Sequence, residues 1–211
     1  MNPRLRNHLL LAALTGAALG ISVAMDKGSS GMDKLSIVSA YLCLLLFAAA
    51  LLIGPLRARA SGAPVLNSHL RRDIAIWGGI NGLLHFWLAN VLAMTWEYIG
   101  IFVENAPAPP SAEVRDQLYL WGTIFGYVVA VLILVLLLIS SDRALRKIGT
   151  RWWKRLQRLA YVIFVATVAH AFAFQVLESR PLVWVVTVAA VFVAVLAMQI
   201  AGRHNVNLRR K

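Results

Sequence analysis

Nothing in the 211 residues supports a disulfide framework, because Cys43 is the lone cysteine and behaves as an apolar filler. There is no glycine-rich phosphate loop, no zinc-ligand spacing and no internal repeat, which excludes P-loop, zinc-module and solenoid architectures. Charge is scarce: 14% of residues are charged against 60% hydrophobic, and the mean hydropathy is +0.71, outside the range of ordinary soluble domains. Carboxylates are absent from the interior of the apolar runs, which argues against a pump or a proton-coupled transporter.

What is present is a set of long apolar runs. Crossing a hydrocarbon layer of roughly 30 Å takes about 20 helical residues, and irregular backbone facing lipid is too costly. Six runs qualify, at residues 9–25, 35–54, 74–94, 118–140, 156–177 and 182–201. The expected fold class is therefore all-α: a polytopic membrane protein with six transmembrane helices, forming a single domain over residues 1–211.

Basic residues alternate with loop number. Seventeen of the 21 Lys and Arg fall on one side, and only Lys27, Lys34, Arg115 and Arg180 on the other. The positive-inside rule then puts both termini on the cytoplasmic side. Arg4 and Arg6 before an apolar run ending near Ala24 also resemble a signal peptide, but "GAALG" offers the small-residue face of a retained first helix. The net charge of +12 follows from this arrangement with lipid, so no nucleic-acid partner is expected. The densest stretch, "RALRKIGTRWWKRLQR" from Arg143 to Arg158, has two readings: a lipid-facing loop anchored by Trp152 and Trp153, or a face that holds an acidic partner or a nucleotide phosphate. The third loop carries Pro107, Pro109 and Pro110, which break any helix, and reads as a connector, a cap or a docking surface.

Ionisable groups inside a membrane are costly and mark sites. His8, His69 and His204 sit in or beside basic segments, whereas His85 and His170 interrupt apolar runs. Strict alternation makes the third and fifth runs parallel, with both histidines somewhat outward of the midplane, within roughly 5 Å in height. His85 shares a helical face with Gly78, Asn81, Gly82 and Ala89, and His170 with Ala166, Thr167 and Ala173. Small residues let helices touch or leave a slot for something flat. Two neutral imidazoles across such a slot match the two axial positions of a six-coordinate haem iron, with Gly78, Gly82 and Asn81 in the pocket. Zinc or copper would want further ligands, for which Cys43 and Met94 are candidates only by default. Paired or packed histidines in a non-redox membrane scaffold remain the alternative.

The runs "RRDIAIWGGINGLLHFWLAN", "LRKIGTRWWKRLQRLAYVIFVATVAHAF" and "GPLRAR" resemble the ferric reductase-like transmembrane domain. More closely, they resemble the haem-binding membrane subunits of the bacterial system that reduces methionine sulfoxide in periplasmic proteins. That resemblance implies a b-type cytochrome of the bacterial inner membrane passing electrons to an outer-face acceptor, a periplasmic reductase subunit as partner, and His85 and His170 as haem ligands. In the family another histidine usually stands thirteen residues before the late one, where this chain has Gln157; the matching positions before His85 are Arg71 and Arg72. One haem b is therefore expected. Two entry routes fit: a flavin such as FMN, or a cytoplasmic flavin reductase, docks on a basic face comprising Arg151, Lys154, Arg155, Gln157 and Arg158, or a quinol of the membrane quinone pool approaches the helix bundle directly. For haem propionates the outer-side candidates are Arg115 and Arg180.

Overall fold

The computed structural model describes residues 2–25, 31–59, 68–94 and 112–208. All regular structure among them is helical: α1 (Pro3–Ala24), α2 (Gly31–Arg59), α3 (Ser68–Ala93), α4 (Ala112–Ile139), two short helices α5 (Asp142–Ile148) and α6 (Thr150–Gln157), then α7 (Leu159–Leu177) and α8 (Leu182–Leu208). Among the described residues, six helical stretches are long and apolar enough to cross a membrane, in the order expected. The third loop with its prolines lies outside the described residues, apart from its last positions, which are helical from Ala112.

Helices extend beyond the apolar runs because local chemistry caps them there. At α1 the Asn2 side chain accepts from the Arg4 amide at 2.9 Å and Pro3 occupies the first turn, where its missing N–H is harmless. Helix α2 continues through Pro55 to Arg59. Where α8 passes Pro55, residue 202 is glycine; a Cβ there would lie 3.0 Å from the proline ring. The fifth apolar run is not one helix with its basic lead-in. Ser141 caps α5 by accepting from the Ala144 amide at 3.0 Å, and Gly149, at φ 80°, turns the chain into α6. Trp153 then donates from Nε1 to the Ile139 carbonyl at 2.9 Å, folding α6 back against the end of α4.

Helix α2 is the centre of the bundle, packing on α1, α3, α7 and α8, while α4 packs on α3 and α7. The core joins Cys43, Phe47 and Leu51 of α2 to Ile133 of α4, Ile163 and Phe164 of α7, and Val188 of α8. Large apolar side chains cover the outside instead, such as Leu10 at 63% and Leu182 at 74% exposure, the surface a lipid-embedded bundle presents. Contacts along α4 fix direction. It meets α3 through Tyr127–Asn90, Ile133–Gly82 and Leu137–Gly79, and α7 through Tyr119–Phe174 and Gly126–His170. Helix α4 is thus antiparallel to both, so α3 and α7 run parallel.

One end of the bundle holds a polar network that corrects the expectation of a core without carboxylates. Asp73, fully buried in the first turns of α3, receives Arg4 Nη2 at 3.3 Å and Asn7 Nδ2 at 3.1 Å, and lies 3.4 Å from His8 Nε2. His8, unremarkable in sequence beside Arg4 and Arg6, accepts at Nδ1 from Trp77 Nε1 at 3.1 Å; its other nitrogen is therefore the one that carries the proton toward Asp73. Arg72 Nη1 reaches Asp142 at 2.6 Å and Arg4 Nη1 reaches the same carboxylate at 3.5 Å, joining α1, α3 and α5. Few α1 side chains are buried, so these bonds, with Asn81 Nδ2 donating to Thr15 Oγ1 at 3.2 Å, carry much of its attachment.

Two outcomes follow. Asp73→Ala lowers stability in mixed-micelle unfolding by about 2–4 kcal/mol, less than for a fully buried pair because Arg4 is partly exposed and keeps Asp142; an unchanged midpoint would contradict the network's role. The Arg72 guanidinium, by hydrogen bond and charge, holds the Asp142 carboxyl below its ordinary 3.8. The pair's stabilisation is present above that pH and fades as pH falls through the lowered value, so Asp142→Asn flattens the acid limb of a stability–pH curve.

Candidate functional site

His85 of α3 and His170 of α7 face each other with ring centroids 6.0 Å apart and ring planes at 70°. Both are half-buried, although α3 and α7 are not closely packed on one another; α2 and α4 each pack against both. The rings therefore meet across an interval that backbone contact does not close.

Each imidazole is oriented from behind by a backbone carbonyl. His85 Nδ1 lies 2.9 Å from the Ser36 carbonyl oxygen and 3.1 Å from Ser36 Oγ, and His170 Nδ1 lies 2.8 Å from the Gly122 carbonyl oxygen. A carbonyl only accepts, so both Nδ1 atoms are the protonated ones and both Nε2 atoms carry the lone pair. Neither Nε2 has a hydrogen-bond partner among the described residues. Two rings with fixed tautomers and free Nε2 lone pairs are chemically able to ligate a metal, the carbonyls behind them orienting the rings.

The sequence reading missed what holds His170. Gly122 and Gly126, four residues apart in "WGTIFGY", lie on one face of α4. A Cβ on Gly126 would stand 3.0 Å from His170 Cε1 and Nδ1, and one on Gly122 would stand 3.0 Å from the Phe174 ring. The two glycines let α7 approach until the Gly122 carbonyl reaches the imidazole. The small-x-x-x-small spacing was the available signal. Phe174 packs against His170 at 4.9 Å between centroids, and on the α3 side Phe86 packs edge-on to Tyr127 at 5.1 Å. Tyr127 in turn donates to Asn90 Oδ1 at 2.6 Å.

Other expected pocket residues are placed differently. The atoms nearest a Cβ on Gly78 belong to Leu46 and Phe47, and on Gly82 to Ile133 and Cys43, so these glycines admit α2 and α4 to α3. Asn81 is fully buried one turn before His85, tied by Nδ2 to Thr15 Oγ1 and to the Trp77 carbonyl, while its Oδ1 has no partner among the described residues. Thr167 Oγ1, one turn before His170, is likewise buried and unpartnered. Among the described residues no group of three or more His, Cys, Asp or Glu converges, so Cys43 and Met94 do not extend the donor set; Cys43 is buried in the core and Met94 is exposed.

The basic face is separate. Arg151, Lys154, Arg155 and Arg158 are exposed, with Arg155 over the Trp152 ring at 4.8 Å, whereas Gln157 is half-buried and its Nε2 has no partner among the described residues. Gln157 ends α6 and His170 lies on α7, so the two do not share one helix. Of the propionate candidates, Arg115 pairs with Asp116 at 3.8 Å and Arg180 with Glu178 in the α7–α8 turn. Burial holds the Glu178 carboxyl above its usual range, opposed by Arg180.

Gly126→Ala forces a methyl group against the His170 ring and lowers the melting temperature by the equivalent of about 1–3 kcal/mol. Gly16→Ala on α1, where a Cβ meets nothing within 4 Å, is neutral or slightly stabilising. Equal behaviour of the two in a thermal scan would contradict the close approach.

No protein-family profile matches the chain. It is 28% identical over 180 residues to the protein-methionine-sulfoxide reductase heme-binding subunit MsrQ of Yersinia pseudotuberculosis serotype O:1b (strain IP 31758), covering 84% of this chain and 82% of that one. The same-named protein of Yersinia pestis (strain Pestoides F) gives 28% identity over 84% of this chain and 81% of its own. The resemblance read from the sequence thus holds over most of both lengths, and the chain is similar to heme-binding subunits of this reductase.

Proposed function

We propose that this chain is a membrane b-type cytochrome: the haem-binding subunit of a methionine-sulfoxide reductase system, passing electrons from the cytoplasmic side to an outer-face acceptor such as a periplasmic reductase subunit. The observation that carries the reading is the His85–His170 pair, each ring held by a carbonyl at Nδ1 and offering Nε2 to the space between. The similarity to proteins named heme-binding subunits supports it independently. When bound, a haem would supply one-electron redox chemistry, since its iron cycles between two oxidation states at a potential tuned by its ligands and surroundings.

The chain's own residues do the rest. His85 and His170 would hold the haem iron, Ser36 and Gly122 fix their tautomers, and Gly122 and Gly126 set the distance of α4 from His170. Phe174, packed against the His170 ring, keeps that side of the site apolar. Thr167 Oγ1 offers an unused hydrogen bond near His170. Both termini lie in the cytoplasm, where a flavin or a flavoprotein docks at Arg151, Lys154, Arg155, Gln157 and Arg158, while a quinol of the inner membrane approaches the bundle directly. One haem is bound, because no second histidine pair stands below the first.

Expression with haem supply and a reduced-minus-oxidised spectrum tests the reading. Wild type gives a six-coordinate b-type spectrum, and His85→Ala and His170→Ala each lose it while remaining in the membrane. A haem-free wild type, or variants with unchanged spectra, would leave a non-redox scaffold with structural histidines as the correct description.

A further inference from the structure

We propose that Arg72 anchors an oxyanion site for a phosphate group at the basic end of the bundle, remote from the histidine pair. Its side chain is nine-tenths buried. Nη1 is committed to Asp142 at 2.6 Å, while Nε and Nη2 are buried with no acceptor among the described residues. Those two N–H groups lie on the same edge of the planar guanidinium, the edge that grips phosphate or carboxylate through two parallel hydrogen bonds. A buried charged donor pair without an acceptor is costly, and the fork geometry specifies what satisfies it.

The surrounding groups supply no such acceptor. Asp142 is shared by Arg72 and Arg4, and Asp73 is surrounded by Arg4, Asn7 and His8. Arg71 lies alongside, its Nη1 3.7 Å from where a Cβ on Gly54 would stand. Arg4, Arg71 and Arg72 therefore outnumber Asp73 and Asp142, the two carboxylates on the basic side of the chain, and Arg4 Nε is a further buried donor without an acceptor. Every unpartnered buried atom in this cluster is a donor, so the ligand is an acceptor carrying negative charge. Arg72 stands in the first turns of α3, thirteen residues or roughly 20 Å of helix from His85. That end of a spanning helix meets phospholipid headgroups and soluble phosphates, the two sources of this chemistry.

The test uses the full chain in uncharged detergent, titrated with inorganic phosphate in one arm and with short-chain phosphatidylglycerol in the other. Chloride at matched ionic strength and phosphatidylcholine are the controls, and the melting temperature and native mass spectrum are the readouts. At least one phosphate probe gives a saturable stabilisation that the controls lack. Response to phosphatidylglycerol alone assigns a headgroup, and response to inorganic phosphate assigns a soluble ligand. Arg72→Lys, which keeps the charge but not the fork, weakens the midpoint about tenfold or more, whereas exposed Arg146→Gln leaves it unchanged. Asp142→Asn removes a competing carboxylate and tightens binding, which serves if Arg72→Lys fails to fold. No saturable response in wild type, an Arg72→Lys titration that matches it, or weaker binding by Asp142→Asn would overturn the site.

Discussion

Inside an apolar bundle, an imidazole needs a partner for its N–H, and both intramembrane histidines take theirs from a backbone carbonyl. That choice settles the tautomer, aims the ring and leaves Nε2 free. It also dictates packing around the pair. Helical carbonyls are normally screened by side chains, so one side of the site needs Ser36 with its small side chain, and the other needs Gly122 and Gly126. Close packing at these positions is therefore a consequence of orienting the histidines.

Two polar centres result, with different physics. Around His85 and His170 the surroundings are largely apolar, with Phe174 packed against the His170 ring. At the basic end, Arg4, Arg72, Asp73 and Asp142 form a charged network that joins three helices. Helix α2 links the two: its Ser36 holds His85, Gly54 lies beside Arg71, and its apolar middle forms the core.

The six spans were legible because long apolar helical runs have few alternatives in lipid. The histidine pair was legible from depth alone, since strict alternation makes the helices parallel, and the contacts of α4 agree. Helix ends were less so. Capping by Asn2, and the arginine network at the start of α3, carry helix into charged sequence that hydropathy reads as loop. Asp73 follows Arg71 and Arg72 in sequence, and its burial depends on which helix passes by: α1, with Arg4, Asn7 and His8, closes over it. Gly78 and Gly82 show the same limit: a small residue states that something approaches closely, and only the neighbours state what. Gly122 and Gly126 carried the same signal on a helix without a histidine, and their service to His170 emerges only in three dimensions.

The proposed function requires that His85 and His170 hold one haem through their Nε2 atoms. The most direct measurement is haem content per polypeptide of the purified chain, taken together with low-temperature electron paramagnetic resonance of the oxidised form. The account predicts one haem b per chain with a low-spin ferric signal from two nitrogen ligands. Two haems per chain, none, or a high-spin signal with an open coordination position would contradict it.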